Sequence, residues 1–132
     1  MKIENIKFKA KRLDGKGWVE GYFYAECGNT YIIENRQEES MLNRNITYEV
    51  DPSTVCQFTG EKDMRGKEIY IGDIISNLET GSVVEVVWND KMKMLDCKFL
   101  NGVKCCFDIP FGIFVARYHR IVVLMSKYDK EK

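Results

Sequence analysis

The side chains able to do bond chemistry are few and scattered. There is one histidine, His119, and there are five cysteines: Cys27, Cys56, Cys97, Cys105 and Cys106. A closed zinc site would have to gather Cys97, Cys105, Cys106 and His119, and no two cysteines have the C-x-x-C spacing that zinc modules use. Adjacent residues of a strand face opposite ways, so Cys105 and Cys106 are poorly placed to share one ion. A nucleophile such as Cys105 or Ser53 would depend on His119 as base, with nothing in the sequence to orient it. Glu68 and Asp73 form a carboxylate pair of a kind common on solvated faces. No phosphate loop or dinucleotide fingerprint occurs, and Gly15-Lys16-Gly17 is too short to cradle a phosphate. The expectation is a non-enzyme with no metal and no cofactor.

The remaining chemistry is that of binding. Lys7, Lys9, Lys11, Arg12 and Lys16 form a basic stripe, with Trp18, Tyr22 and Tyr24 close by in sequence. Cations interleaved with aromatic rings suit single-stranded nucleic acid, because bases stack on the rings and phosphates meet the ammonium groups. Arg117, His119 and Arg120 make a smaller second patch. Lysines on a first strand also discourage edge-to-edge aggregation, and a solvated edge is the simpler reading of this stripe. The whole chain carries 20 basic and 20 acidic side chains, a formal net charge of zero, which argues against a charge-driven nucleic-acid coat.

The elements that would position these groups read as strands. The chain has 132 residues, 45% of them hydrophobic, enough for a packed core in one domain or two very small ones. No apolar run is long enough for a membrane helix, and the charged start lacks the apolar stretch of a signal peptide. A soluble cytoplasmic protein with no membrane partner is expected, and the odd cysteine count argues against a fully paired secreted framework. Ile6, Phe8 and Ala10 alternate with Lys7, Lys9 and Lys11, which puts the lysines on the opposite face from the apolar three. Asp14 to Gly17 reads as a turn, Trp18 to Ala25 as the returning strand, Gly28-Asn29 as a second turn, and Thr30 to Glu34 as a short strand. Residues 35–45 read as a loop or one helical turn, and Ile46 to Val50 as extended. Asp63 and Gly66 occupy the first and fourth places of a type I turn. Val83 to Trp88 is the clearest strand. Ile109 to Tyr118 is apolar and aromatic but interrupted by Pro110 and Gly112. Ile121 to Met125 suits a strand covered on both faces or a subunit contact.

Asn101-Gly102 is a strong hairpin signal. A two-residue loop there sets Leu100 opposite Val103 and, counting back, Cys97 opposite Cys106 in a non-hydrogen-bonded pair, with Cα atoms ~4.5 Å apart. In a reducing compartment this means two thiols side by side rather than a disulfide.

The most specific stretch runs from Tyr48 to Ile75. It contains Val50-Asp51-Pro52, Thr54-Val55, Gln57-Phe58-Thr59-Gly60, Asp63, Gly66-Lys67-Glu68-Ile69-Tyr70 and Gly72-Asp73-Ile74. This resembles the hallmark of the YopX family of small phage and prophage proteins, and Phe8-Lys9-Ala10-Lys11 resembles that family's first strand. Cys56 stands where the family usually has glycine, and Ile71 where an acidic residue is usual. The resemblance implies a mainly β fold: an N-terminal β-hairpin or meander region over 1–50, then a small SH3-like barrel-type part over 51–132, with little helix. One continuous domain is the alternative. The resemblance also implies a phage-associated role in a bacterial host cell, but no activity and no catalytic residues. In physical terms Asp51, Pro52, Gln57, Thr59, Gly60, Asp63, Gly66, Gly72 and Asp73 read as scaffold, since polar turn residues usually serve the turn. The expected function is therefore a non-catalytic interaction module, self-associating as a homo-oligomer, with single-strand nucleic-acid binding as the alternative. No particular protein partner is indicated.

Overall fold

The computed structural model describes residues 5–34, 46–100 and 109–129. It is mainly β, with antiparallel sheets and one short helix. The chain divides into two compact units, residues 1–58 and 59–132. The Asn35–Asn45 segment lies outside the described residues.

In the first unit, β1 (Phe8–Lys11), β2 (Trp18–Glu26), β3 (Asn29–Ile33) and β4 (Thr47–Val50) form a meander. Phe8 pairs with Gly21 and Lys11 with Trp18. Tyr22 pairs with Ile33 and Glu26 with Asn29. β4 then curls back to the end of β1: Arg12 bridges Val50, Leu13 N–H donates to Glu49 O at 3.1 Å, and Asp51 N–H donates to Lys11 O at 2.9 Å. Period-two alternation places Ala10, Val19, Ile32 and Val50 on the inner face, where all four are buried, with Phe8, Tyr48 and Val55 packed around them. The β2–β3 turn is centred on Cys27 and Gly28, one residue earlier than the Gly28-Asn29 expectation. Both have positive φ, 53° and 84°, as a type I′ hairpin requires. After β4, Pro52–Thr54 forms one 3-10 turn, and the Asp51 carboxylate caps it by accepting from Ser53 N–H at 3.0 Å.

β5 (Cys56–Lys62) leads from the first unit into the second, its early residues pairing with β1 and its later ones with β6 (Glu68–Tyr70). The second unit's main sheet has the order β10-β9-β8-β7-β11. Its strands are β7 (Asp73–Asn77), β8 (Val83–Asn89), β9 (Met94–Phe99), β10 (Ile109–Pro110) and β11 (Ile121–Ser126). The outer strands β10 and β11 do not pair with each other, so this sheet is open and the described residues close no barrel. In place of a closing strand, the helix α1 (Phe111–Arg117) supplies Phe111 and Phe114 to the core. There they pack with Ile69, Ile75, Val84, Val86, Cys97, Ile121 and Val123.

Two expectations need correction here. The apolar run after Ile109 folds as a helix rather than as more β structure. Phe111, Phe114, Val115 and Tyr118 recur at helical spacing, and Pro110 sits at the N-cap, where its missing N–H is harmless. The hairpin register also differs: Cys97 lies opposite Ile109, not Cys106, and Asp96 lies opposite Pro110. The described partner of Cys97 is therefore not the one that a two-residue loop would set, and Asn101-Gly102 lies outside the described residues. Cys106 itself lies outside the described residues.

Asp63 anchors the second unit. Its Oδ1 accepts from Arg65 N–H at 2.8 Å and Lys67 N–H at 2.9 Å, closing the expected turn. Its Oδ2 accepts from Val123 N–H at 2.9 Å, on the outer edge of β11. Burial pushes this carboxyl's pKa up, but the N–H groups of Val123, Lys67 and Arg65 together outweigh that and hold it below the ordinary 3.8. Replacing Asp63 by Ala strands three backbone donors. At ~1–3 kcal/mol for an unsatisfied buried donor, partly relieved by water, the expected loss is about 2–4 kcal/mol at pH 7. A folded-state pKa below the unfolded one means the carboxylate's stabilisation is complete above the unfolded value. It is lost as pH falls through the folded value. Denaturant titrations should show a constant wild type minus Asp63→Ala gap between about pH 5 and 7, shrinking below about pH 4.

Candidate functional site

Lys7, Lys9 and Lys11 lie with Trp18 on the outer face of the first unit's meander, whereas Arg12, bridged to buried Val50, falls on the side of Ala10, so the structure does not bring all five predicted cations onto one face. The register sets Lys9 opposite Glu20 and Lys11 opposite Trp18, so the alternating residues Trp18, Glu20, Tyr22 and Tyr24 share the lysines' side of the sheet. The structure brings the cations onto rings. Lys9 Nζ lies 4.6 Å and Lys11 Nζ 5.5 Å from the centroid of Trp18, and Lys7 Nζ lies 4.9 Å from that of Phe58. Arg12 stacks its guanidinium 4.2 Å from the centroid of Tyr48 and forms an ion pair with Asp14. Lys16 is exposed in the turn, where its backbone N–H donates to Asp14 Oδ1 at 3.0 Å. That bond, with the nearby Arg12, keeps the Asp14 carboxyl below its ordinary pKa. Each such cation–ring contact contributes roughly 0.5–1 kcal/mol at a solvated site.

Farther along β2 the pattern changes. Residues 22–26 are exposed without alternation, so both faces of the sheet meet solvent there. Tyr22, Phe23 and Tyr24 are 41%, 43% and 37% exposed. Tyr24 stacks on Tyr31 with ring centroids 5.0 Å apart, and Phe23 packs on Phe8 at 4.9 Å. The β2–β3 hairpin is thus an aromatic arm extending past its own core. From Gly17 to Glu34 the sequence holds Glu20, Glu26 and Glu34 and no lysine or arginine. Sequence reasoning placed Tyr22 and Tyr24 beside the stripe but missed the arm. The absence of any cation in this segment was the available signal.

The second patch does not assemble around a reactive histidine. Arg117, His119 and Arg120 are all exposed. The backbone N–H groups of His119 and Arg120 donate to Glu79 Oε2 at 2.9 and 3.2 Å, and these bonds lower the Glu79 pKa. Cys27 is exposed, and Cys56 and Cys97 are buried. Cys105 lies outside the described residues. Among the described residues no group of three or more His, Cys, Asp or Glu side chains could hold a metal ion. A cavity of about 250 Å³ opens in the second unit between Phe99, Ile109, Phe114 and Tyr118, with Asn77, Thr80 and Ser82 at its polar end.

The residues of the Tyr48–Ile75 stretch spend their polar atoms inside the chain. Asp51 Oδ1 also accepts from Ser53 Oγ at 2.8 Å, and Thr54 Oγ1 accepts from Lys11 N–H at 2.9 Å. Thr59 Oγ1 donates to Ile69 O at 2.7 Å, and Asp73 Oδ2 accepts from Tyr70 N–H at 2.8 Å. Gly60, Gly66 and Gly72 all take positive φ. Gln57 is exposed opposite Phe8, and Pro52 opens the 3-10 turn.

The site is therefore that of a small two-unit β protein whose outward chemistry is aromatic and charged contact. A family model described as YopX protein matches residues 4–111, so the chain belongs to the YopX family. No curated protein matches it. No helix of the described residues is long and apolar enough to cross a membrane.

Gly21 sits at the root of the arm. A Cβ added there would lie 2.0 Å from Ile33 O and 2.8 Å from its carbonyl carbon. Gly21→Ala must push β2 and β3 apart, a cost of about 1–3 kcal/mol. Hydrogen exchange should show the amides of Tyr22–Glu26 and Asn29–Ile33 exchanging faster, with those of β7 and β8 unchanged.

Proposed function

We propose that the protein is a phage- or prophage-associated, non-catalytic interaction module that works in the cytoplasm of the bacterial host and self-associates. The observation that supports this most directly is the β2–β3 arm. Three consecutive aromatic residues, each over a third exposed and set on both faces of a strand, are an expensive surface to leave in water. The two apolar runs near the C-terminal end are weaker support. Phe111, Phe114, Ile121, Val122 and Val123 are buried within the second unit, and of the large apolar side chains in those runs only Ile113 and Leu124 are largely exposed. Light scattering across a dilution series tests the reading. The mass should rise above that of one 15.4 kDa chain as concentration increases. A constant single-chain mass up to high concentration removes the oligomer.

A second reading, single-strand nucleic-acid binding, is favoured by the placement of Lys9 and Lys11 over Trp18. Binding of this kind should weaken steeply with salt, with a slope near −0.7 per neutralised phosphate. Lys9→Ala with Lys11→Ala should lower that slope by about one to two units. Fluorescence anisotropy with labelled oligonucleotides checks it, and no change with any sequence at low salt rules it out.

A further inference from the structure

The arm has one open strand edge. β1 pairs with β2 only over Trp18 to Gly21, while β3 pairs with Tyr22 to Glu26. On the side away from β3, residues 22–26 have no strand partner among the described residues. The direction of the backbone groups follows from the ladder. Arg12 N–H donates to Gly17 O, so Arg12–Gly17 is a hydrogen-bonded pair and alternation makes the odd residues of β2 point toward β1's side. Carried past Gly21, the N–H and C=O groups of Phe23 and Ala25 face the open edge, while those of Tyr22, Tyr24 and Glu26 serve β3. The Glu26–Asn29 pair, closing a two-residue turn, has the hydrogen-bonded character this requires.

Open edges are normally blunted by lysine, proline, a bulge or a covering element, because they template strand addition. Tyr22–Glu26 holds no lysine or proline, and no strand of the described residues pairs with this edge. It instead presents strong strand formers, tyrosine and phenylalanine. Resting on the self-association reading above, we propose that this edge pairs antiparallel with the same edge of a second copy, centred on Tyr24. A two-fold axis through that register sets Phe23 opposite Ala25 as hydrogen-bonded pairs, and Tyr24 opposite its own copy as a non-hydrogen-bonded pair. The charges also fit. Glu26 falls opposite Tyr22 of the second copy rather than opposite another glutamate, and it arrives beside the start of β1, where Lys7 precedes the Phe8–Gly21 pair. The interface is small, about four backbone hydrogen bonds with the flanking aromatic contacts, so the dimer is concentration-dependent.

Two variants in the full chain test this. Ala25→Pro removes an outward N–H that the β2–β3 ladder does not use, and should raise the dimer dissociation constant about tenfold or more by sedimentation equilibrium. Tyr24→Cys, made together with Cys27→Ser, should give a disulfide-linked dimer on mild oxidation, because the two positions lie ~4.5 Å apart. Cys27 in the otherwise natural chain should not, since three residues from the axis on each copy puts its partner about 20 Å away. Self-association that is unchanged in Ala25→Pro, or an absence of the linked Tyr24→Cys dimer while the natural chain associates, overturns the edge pairing and leaves self-association standing. A natural chain that stays single at high concentration overturns both.

Discussion

The second unit is organised around one carboxylate. Asp63 stands between the turn that follows β5 and the outer edge of β11, sixty residues away in sequence from Val123. With Oδ1 it closes the turn, and with Oδ2 it holds the strand, while the neighbouring Met64 N–H donates to Ile121 O at 3.0 Å. The edge of β11 at Ile121–Val123 is thereby capped by a turn rather than by another strand. Ile121 and Val123 can then sit in the core under α1, and the apolar run that would otherwise be an adhesive edge is absorbed by its own unit. A neutral side chain in this position would leave backbone donors unmet at a place water reaches poorly, which is why an ionised acid fits it.

Asp51 does a smaller version of the same work in the first unit. Its carboxylate caps the Pro52–Thr54 turn, and its backbone N–H, with Thr54 Oγ1, pins that turn to β1. Both acids belong to the stretch that carries the family likeness. The contrast that matters lies between edges within the molecule. β11 is capped at Ile121–Val123 and β4 is folded back onto the end of β1, but β2 runs five residues beyond its partner. Gly21 permits this, because the strand passes so close to Ile33 O that only a residue without Cβ fits. The arm is a consequence of unequal strand lengths, four residues in β1 against nine in β2.

That inequality also marks where the sequence was legible and where it was not. Alternation located β1, β2, β3 and β8 to within a residue or two, since half-buried strands write their period directly. The Asp63–Gly66 turn was readable because both residues act locally. What Oδ2 reaches was not, because the acceptor is local and the donor is sixty residues away. The helix was hidden by Pro110 and Gly112, which interrupt a strand but are tolerated at a helix start and within its exposed face. The spacing of Phe111, Phe114, Val115 and Tyr118 carried the opposite message. The hairpin at Asn101-Gly102 shows a different limit. A turn dipeptide states that a reversal is favourable without fixing the register of the strands beyond it, and Cys97 pairs with Ile109 rather than with the partner counted from that turn. The open edge of β2 had no sequence signal of its own, since it depends on where a neighbouring strand stops.

Zero net charge acquires a more particular meaning in this arrangement. Among the described residues the cations of the first unit are gathered around β1 and the following turn, where three lysines lie over Trp18 and Phe58 and Arg12 lies over Tyr48. The exposed aromatic rings of the first unit, Tyr22, Phe23 and Tyr24, lie on the adjoining arm, whose charges are all acidic. A single-strand platform needs its rings and cations interleaved so that bases and phosphates alternate along one groove. Among the described residues of the first unit, the rings that lie against cations are Trp18, Phe58 and Tyr48, and each is already covered by an ammonium or guanidinium group. Tyr22, Tyr24 and Tyr31 would offer stacking surfaces next to carboxylates that repel a phosphate backbone. The same separation suits contact between like chains, where an acidic aromatic arm on one copy approaches the basic end of β1 on the other. The charge pattern and the strand edge, which arise from unrelated features of the sequence, thus favour the same kind of partner.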